Sequence, residues 1–282
     1  MIKSSSTIPA AFYVSLNIME KTVFPSIKFS CYFTESRQGE HFISDHVLGY
    51  VESGSTTFND GNNSVTMEAG QLYFCRRNQL LKYVKTPPQG GEFRSVSVTF
   101  SQEILKNFSL KYGYESERKS SGNSCLVLDN NSVLANYMNS LREYEPVLKY
   151  PGSPLLPVKQ EEAILLLLKL CPEIKDVLFD FTDPGKIDLE AFMEQNYHFN
   201  VGVNRFAYLT GRSLSGFKRD FEKVFSISPG KWLVQRRLQE AYYLLTEKKM
   251  TVSDIYPEVG FEDMSHFSYA FKKRYGTAPT KI

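Results

Sequence analysis

Phe206-Ala207, Gly211, Phe217, Phe221 and Ser228-Pro229 recur about fifty residues later as Ile255-Tyr256, Gly260, Phe267, Phe271 and Ala278-Pro279. Each copy reads as a short helix, a glycine turn and a longer amphipathic helix with cationic residues beside an apolar stripe. A residue without Cβ tolerates the positive φ that a sharp turn between helices demands. This is the layout of a helix-turn-helix, and two such units in one chain point to a protein that reads DNA.

In the first copy Ser213 is placed to cap the second helix, with Leu214, Phe217, Phe221 and Val224 as its inward stripe. Ser215, Lys218, Arg219 and Glu222 project from another face. Ser228 is placed to cap the next helix, and Pro229 takes its first position, where a missing N–H does no harm. That helix carries Trp232, Leu233, Leu238, Ala241, Leu244 and Leu245 and is long enough to space two small units. The second copy turns at Gly260, packs Phe261, Phe267 and Phe271 inward and has Asp263 as a cap. Met264, Ser265, Ser268 and Tyr269 face outward, followed by Lys272, Lys273 and Arg274. Helices are expected over 187–196, 203–210, 213–224, 230–246, 252–259 and 263–275.

A chain of 282 residues accommodates two domains of ordinary size. The net charge of +2 averages two halves: from Asp183 onward there are 15 Lys/Arg against 12 Asp/Glu, and before it 18 against 19. So mild an asymmetry does not identify a nucleic-acid binder, and the residue spacing has to carry that reading. Cys31, Cys75, Cys125 and Cys171 lie far apart with no C-x-x-C pair, which suits reduced thiols better than a zinc knuckle or a disulfide framework. The longest apolar run, Ala163 to Leu168, is far too short to span a bilayer. Lys3 precedes Ile8 to Met19, but Ser15 and Asn17 interrupt that stretch, so no secretory signal is expected and the protein reads as cytoplasmic.

Residues from about 15 to 125 favour strands, at 29–33, 47–51, 64–67, 71–74 and 93–100. Turn signals separate them, among them Asn59-Asp60-Gly61-Asn62 and Glu68-Ala69-Gly70. Many short strands at this spacing predict a sandwich or barrel. Asn130 to Tyr144 then places Val133, Leu134, Tyr137, Met138 and Leu141 at helical intervals. Pro151, Pro154 and Pro157 break the chain, and Val158 to Leu170 reads as a further helix. Asp180 to Lys186, with Pro184-Gly185, is the best interdomain linker. The expected fold is therefore α+β and multidomain: a β-domain over 1–125, a helical dimerisation or linker segment over 126–182, and an all-α domain with two helix-turn-helix units over 183–282.

Three ordered fragments carry a family resemblance. They are Ser213-x-x-x-Phe217-x-Arg219-x-Phe221; Ser228-Pro229 with Arg237-Leu238, Ala241 and Leu244-Leu245; and Ile255, Val259-Gly260-Phe261, Phe267, Phe271-Lys272, Gly276 and Pro279. Together, over about 95 residues from Asp188, they resemble the DNA-binding domain of AraC-family transcription regulators. The resemblance implies that the second helix of each unit enters one of two adjacent major grooves of double-stranded DNA. Ser215, Lys218 and Arg219 then match base-edge readers in the first unit, and Met264, Ser265, Ser268 and Tyr269 in the second. Arg219 is the strongest candidate, because a guanidinium bonds bidentately to guanine O6 and N7. Lys223, Lys272, Lys273 and Arg274 suit phosphate contacts, which set affinity and salt dependence. Tyr269 stands where many members carry arginine, Tyr256-Pro257 replaces the usual alanine and its polar neighbour, and the chain stops soon after the motif. The second unit is accordingly expected to be the looser, with more backbone than base contacts.

His46 to Val51 with Gly54, then Val65, Met67 and Ala69 to Phe74, are similar to the cupin-like sensory domain attached to many AraC regulators. That likeness implies control by an effector, a small molecule in sugar-responsive members and a regulatory protein in another subgroup. Tyr73 to Gln79 followed by Phe93 to Phe100 is more similar to the second subgroup. Phe42, Tyr50, Phe58, Tyr73, Phe93 and Phe100 either line an apolar ligand pocket or fill a small barrel. Residues 130–144 and 158–170 are candidates for a homodimer contact, and an activator of this type would engage RNA polymerase. With only His41 and His46 in the β-domain and no His-x-His pair, no metal or other cofactor is expected. All four histidines, including His198 and His266, read as lone surface residues. The absence of a nucleophile elbow, phosphate loop or paired-carboxylate constellation argues against an enzyme.

Overall fold

The computed structural model describes residues 26–33, 37–119, 122–148, 150 and 152–282. The interrupted apolar stretch Ile8 to Met19 and the side chain of His41 lie outside the described residues. Nine strands form two antiparallel sheets among the described residues. One sheet runs β1 (Ile27–Tyr32), β8 (Phe93–Phe100), β3 (His46–Ser53), β6 (Leu72–Cys75) and β9 (Cys125–Leu128). The other runs β2 (Arg37–Ile43), β7 (Gln79–Thr86), β4 (Ser55–Asn59) and β5 (Ser64–Glu68). The sheets do not close into a barrel, so of the two architectures the sequence allowed it is the sandwich that forms. The chain crosses between them at Gly54, whose φ of +82° follows β3 and launches β4.

The five-stranded sheet is buried on both faces, and strand periodicity sorts its side chains. Tyr73 and Cys75 of β6, Val51 of β3 and Phe93 of β8 point toward the second sheet, where Phe58, Met67 and Leu81 meet them. Leu48, Tyr50, Leu72, Phe74, Val96, Val98 and Phe100 point the other way, into a helical layer. That layer comprises α1 (Gln102–Tyr112), α2 (Ser132–Ser140), α3 (Glu145–Leu148), α4 (Leu155–Leu170) and α5 (Lys175–Leu178). Leu105, Phe108, Leu134, Met138, Ala163, Ile164 and Leu167 are its main contributions to the core.

Several expectations need correction. Strands β2, β4, β7 and β9 lie where no strand was expected, and α1 interrupts the stretch read as all strand. Only Leu105 and Phe108 of α1 are buried, so its periodicity is thin; its legible signals are the caps, Ser101 accepting from Ile104 N and Gly113 in the left-handed region. The helix expected over 130–144 ends at Ser140, and four turn residues lead to α3. The helix expected from Val158 begins at Leu155, because Pro157 falls in its first turn, where no intrahelical N–H is needed. The segment 180–188 is free of helix and strand. Beyond it come α6 (Leu189–Asn196), α7 (Val203–Leu209), α8 (Leu214–Phe225), α9 (Pro229–Thr246), α10 (Val252–Glu258) and α11 (Met264–Tyr275), as the repeat predicted. No helix among the described residues is long and apolar enough to cross a membrane.

Two histidines are not on the surface. His46 is buried at the start of β3, stacks on Phe74 and accepts a hydrogen bond from Arg77 N at Nδ1. Burial, reinforced by the Arg77 and Arg76 charges, pushes its pKa down to about 3. His198 is half-buried and is lowered to about 4 by burial, Lys82 and Arg237; His266 is exposed as expected. A histidine whose folded pKa lies below its unfolded value of about 6.5 contributes stability above that value and loses it as pH falls toward the folded pKa. Urea unfolding should therefore show stability falling from about pH 6.5 downward, His46 contributing up to about 1.4 kcal/mol per pH unit. His46→Gln should flatten that slope; an unchanged slope would show that another group carries it.

Candidate nucleic-acid interface

In the first helical unit α7 and α8 meet at Gly211, which has φ +65°. A Cβ there would lie 2.3 Å from the carbonyl carbon of Gly185, so the glycine lets segment 180–188 rest directly on the turn. Ser213 Oγ accepts from Gly216 N and starts α8. Phe217 and Phe221 are fully buried, with Phe225 tilted against Phe221 and Trp232 edge-on to it. Leu214 and Val224, expected in the same stripe, are exposed. They lie at the two ends of α8, and angular position on a helix buries a side chain only where a partner reaches it.

Ser215, Lys218, Arg219, Glu222 and Lys223 are exposed on α8. Asp220 Oδ1 accepts from Arg219 Nε at 3.3 Å and from its terminal nitrogen at 3.2 Å, while Oδ2 accepts from Arg212 Nε at 3.3 Å. The Arg219 hydrogen bonds, with a smaller contribution from Arg212, hold Asp220 below the usual carboxylate range.

The second unit is built alike. Thr251 Oγ1 accepts from Asp254 N to cap α10, and Asp263 accepts from His266 N to cap α11. Pro257 falls in the last turn of α10, where its missing N–H forfeits one intrahelical bond without shortening the helix, which has seven residues like α7. Phe267 and Phe271 are fully buried, and Ile255, Val259 and Phe261 close the core around them. The packing of this unit is thus as complete as that of the first. Met264, Ser265 and Tyr269 are exposed and Ser268 is half-buried. Lys272, Lys273 and Arg274 occupy the last turn, where cations complement the helix dipole.

Helix α9 joins the units, and Arg237 is the group that fixes them together. Its buried guanidinium donates from Nε to Tyr197 O at 2.7 Å and from its two terminal nitrogens to Gly260 O and Phe199 O, both at 2.8 Å. Two of these carbonyls follow α6 and the third belongs to the turn of the second unit. Gly260 has φ +91°, and a Cβ there would meet His198 O at 2.5 Å. Ser228 stands at the N-cap of α9 but its side chain makes no cap bond; Pro229 alone carries that signal. Arg237 was legible only as part of a motif. The better clue was a cation four residues after Leu233 and one before Leu238, among positions facing inward.

The six aromatics considered as pocket lining are not brought together. Tyr50 and Phe100 sit in the core under the helical layer, and Phe58, Tyr73 and Phe93 between the sheets. Phe42 packs edge-on to Tyr208 of α7, under the Arg205 guanidinium. Leu80 of β7 is buried with Phe199, Phe206 and Leu209, so the second sheet is built into the helical half. Lys82 donates to Glu258 O at 2.6 Å and Pro257 O at 3.4 Å, at the end of α10. Beside it opens a cleft of about 990 Å³, bordered by Thr57, Tyr83, Glu240, Tyr256 and Phe261. A smaller, polar cavity of about 380 Å³ lies under segment 180–188, bordered by Arg76, Asn78, Ser124 and Asp183.

Known proteins match both halves. A helix-turn-helix domain family matches residues 206–282, and the family described as the ExsA N-terminal regulatory domain matches residues 46–176. The HTH-type transcriptional regulator ExsA of Pseudomonas aeruginosa is 26% identical over 235 residues, covering 81% of this chain and 82% of that protein. The thermoregulatory protein LcrF of Yersinia pestis is 25% identical over 250 residues, 87% of this chain and 89% of its own. The virulence regulon transcriptional activator VirF of Yersinia enterocolitica reaches 38% over 93 residues, 33% of this chain and 34% of its own.

Replacing Arg237 by Met keeps the apolar stem and removes a donor from three carbonyls, of which Phe199 O retains a bond from Val201 N. The expected cost is about 3 kcal/mol or more in urea unfolding, because buried acceptors lose partners that water cannot replace. A loss below about 1 kcal/mol would show that the units are held by apolar packing alone.

Proposed function

This chain belongs to the AraC family of transcription regulators, and from that premise we propose that it is an activator that reads tandem DNA segments about one helical turn apart with α8 and α11. Sequence-specific DNA binding is the family function; the residues that perform it here are the proposal. The observation that carries it is the rigid division of α8. Phe217 and Phe221 lock one face into the core, leaving Ser215, Lys218 and Arg219 together on a face open to a groove. In α11, Met264, Ser265, Ser268 and Tyr269 take the corresponding place. Lys223, Lys272, Lys273 and Arg274 grip phosphates.

In this reading residues 1–125 form the regulatory domain, 126–182 a helical dimerisation segment, and 183–282 the DNA-binding domain. Regulation enters through the β-domain. The anchoring of Phe42, Leu80 and Lys82 in the helical half supports this, since an effector that prefers one arrangement of the two halves shifts the DNA-competent population. An activator bound in this way would present a surface to RNA polymerase. The relatives named as activators support that sign of regulation.

A homodimer forms through the outer face of α4, where Val158 and Leu165 remain 55% and 41% exposed although the opposite face is fully buried. Sedimentation should show a dimer that Leu165→Glu dissociates; a wild-type monomer at all concentrations rejects this interface. For base reading, Arg219→Ala should relax preference at one or two base pairs by about 1–3 kcal/mol, while Lys272→Ala should weaken all sequences alike and lower the salt slope by about one. Selection from a randomised duplex pool measures both. Uniform weakening by Arg219→Ala would make Arg219 a phosphate contact.

A further inference from the structure

We propose that Asp220 is a positioning residue for Arg219, and that Arg212 anchors Asp220 to the segment joining the two halves of the molecule. The proposal rests on the base-reading role of Arg219 and adds what holds that side chain in place. Arg219 is 69% exposed on a long, flexible stem, and such a side chain pays an entropic cost to present one geometry to a groove. Asp220 Oδ1 engages its Nε and one terminal nitrogen. The edge formed by the two terminal nitrogens keeps free N–H donors, and that edge is the one able to span guanine O6 and N7.

Asp220 is itself held. Its other oxygen accepts from Arg212, a side chain only 13% exposed. The far end of Arg212 donates to Thr210 O at 2.7 Å, in the turn before α8, and to Ile187 O at 3.1 Å, in segment 180–188. That segment is strapped in turn. Arg77 of the β-domain donates to Asp180 O at 2.8 Å and Thr182 O at 2.7 Å, Tyr208 donates to Asp183 at 3.1 Å, and Gly185 lies on Gly211. The joining segment is thus hydrogen-bonded to the β-domain near its start and, through Arg212 and Asp220, to Arg219 near its end. Asp220 also puts a negative charge beside Arg219, which opposes phosphate, so its contribution to binding would be order rather than non-specific affinity.

The test uses the full-length protein with Arg219→Ala, Asp220→Asn, Arg212→Met and the Arg219→Ala/Asp220→Asn pair. Each is scored by selection from a randomised duplex pool and by affinity for a random-sequence duplex at two salt concentrations. Asp220→Asn should cut discrimination about three- to fivefold, at the same base pairs that Arg219→Ala affects. It should at the same time raise affinity for the random duplex, since a like charge is removed from the phosphates. Arg212→Met should produce the same loss of discrimination, and Asp220→Asn should add none in the Arg219→Ala background. Full discrimination by Asp220→Asn, where Arg219→Ala has lost it, overturns the positioning role and leaves base reading intact. Full discrimination by Arg219→Ala overturns base reading itself, and positioning with it. A fall in both discrimination and random-duplex affinity, with a lowered melting temperature, makes Asp220 a structural residue and overturns the proposal.

Discussion

The guanidinium of Arg237, satisfied by the carbonyls of Tyr197, Phe199 and Gly260, is the contact on which the DNA-facing half depends. Each phenylalanine core also takes in one part of α9, Trp232 and Leu233 in the first unit and Leu238, Ala241 and Leu245 in the second, but these apolar contacts are non-directional. A planar group with donors at set angles does more than apolar contact, because it fixes direction as well as distance. By reaching across α9 it sets the turn of the second unit against the end of α6, and so sets how α8 and α11 stand relative to each other. Gly260 is the complement of this arrangement: a side chain there would collide with His198 O and crowd the guanidinium.

The front half obeys a different constraint. Its five-stranded sheet is covered on both faces, so alternate residues of β3, β6 and β8 serve two separate cores. This explains why six aromatics that look like one pocket in sequence end up in three places. Strand geometry places Tyr50 and Tyr73 on opposite faces, and no loop movement can bring them together. The same register sets Cys75 directly opposite Cys125, with sulfurs 2.9 Å apart, although fifty residues separate them in the chain. The second sheet serves two places: the front core through Phe58, Met67 and Leu81, and the junction through Phe42, Leu80 and Lys82.

Legibility followed the range of the interactions. The helices of the DNA-facing half were readable to within a residue or two, because caps at Ser213, Asp263 and Gly276 and the Phe217/Phe221 and Phe267/Phe271 spacings are local signals. The exposed candidates Ser215, Lys218, Arg219 and Tyr269 were readable for the same reason. Strand β7 was not, because the adjacent Leu80 and Leu81 are both buried and leave no clean alternation. Burial of His46 and exposure of Leu214 and Val224 also escaped, since each depends on how far a neighbouring element extends.

By itself, then, the sequence determined the family and the doubled helix-turn-helix, with the buried and exposed faces of α8 and α11, which arise from contacts within a few turns of chain. Only the tertiary structure decided that the β-domain is an open sandwich, that Arg237 ties the two units, and that Arg77 and Arg212 hold opposite ends of the joining segment. Those features pair residues far apart in sequence, and hydrogen-bond direction and sheet register exist only once the distant partners have been brought together.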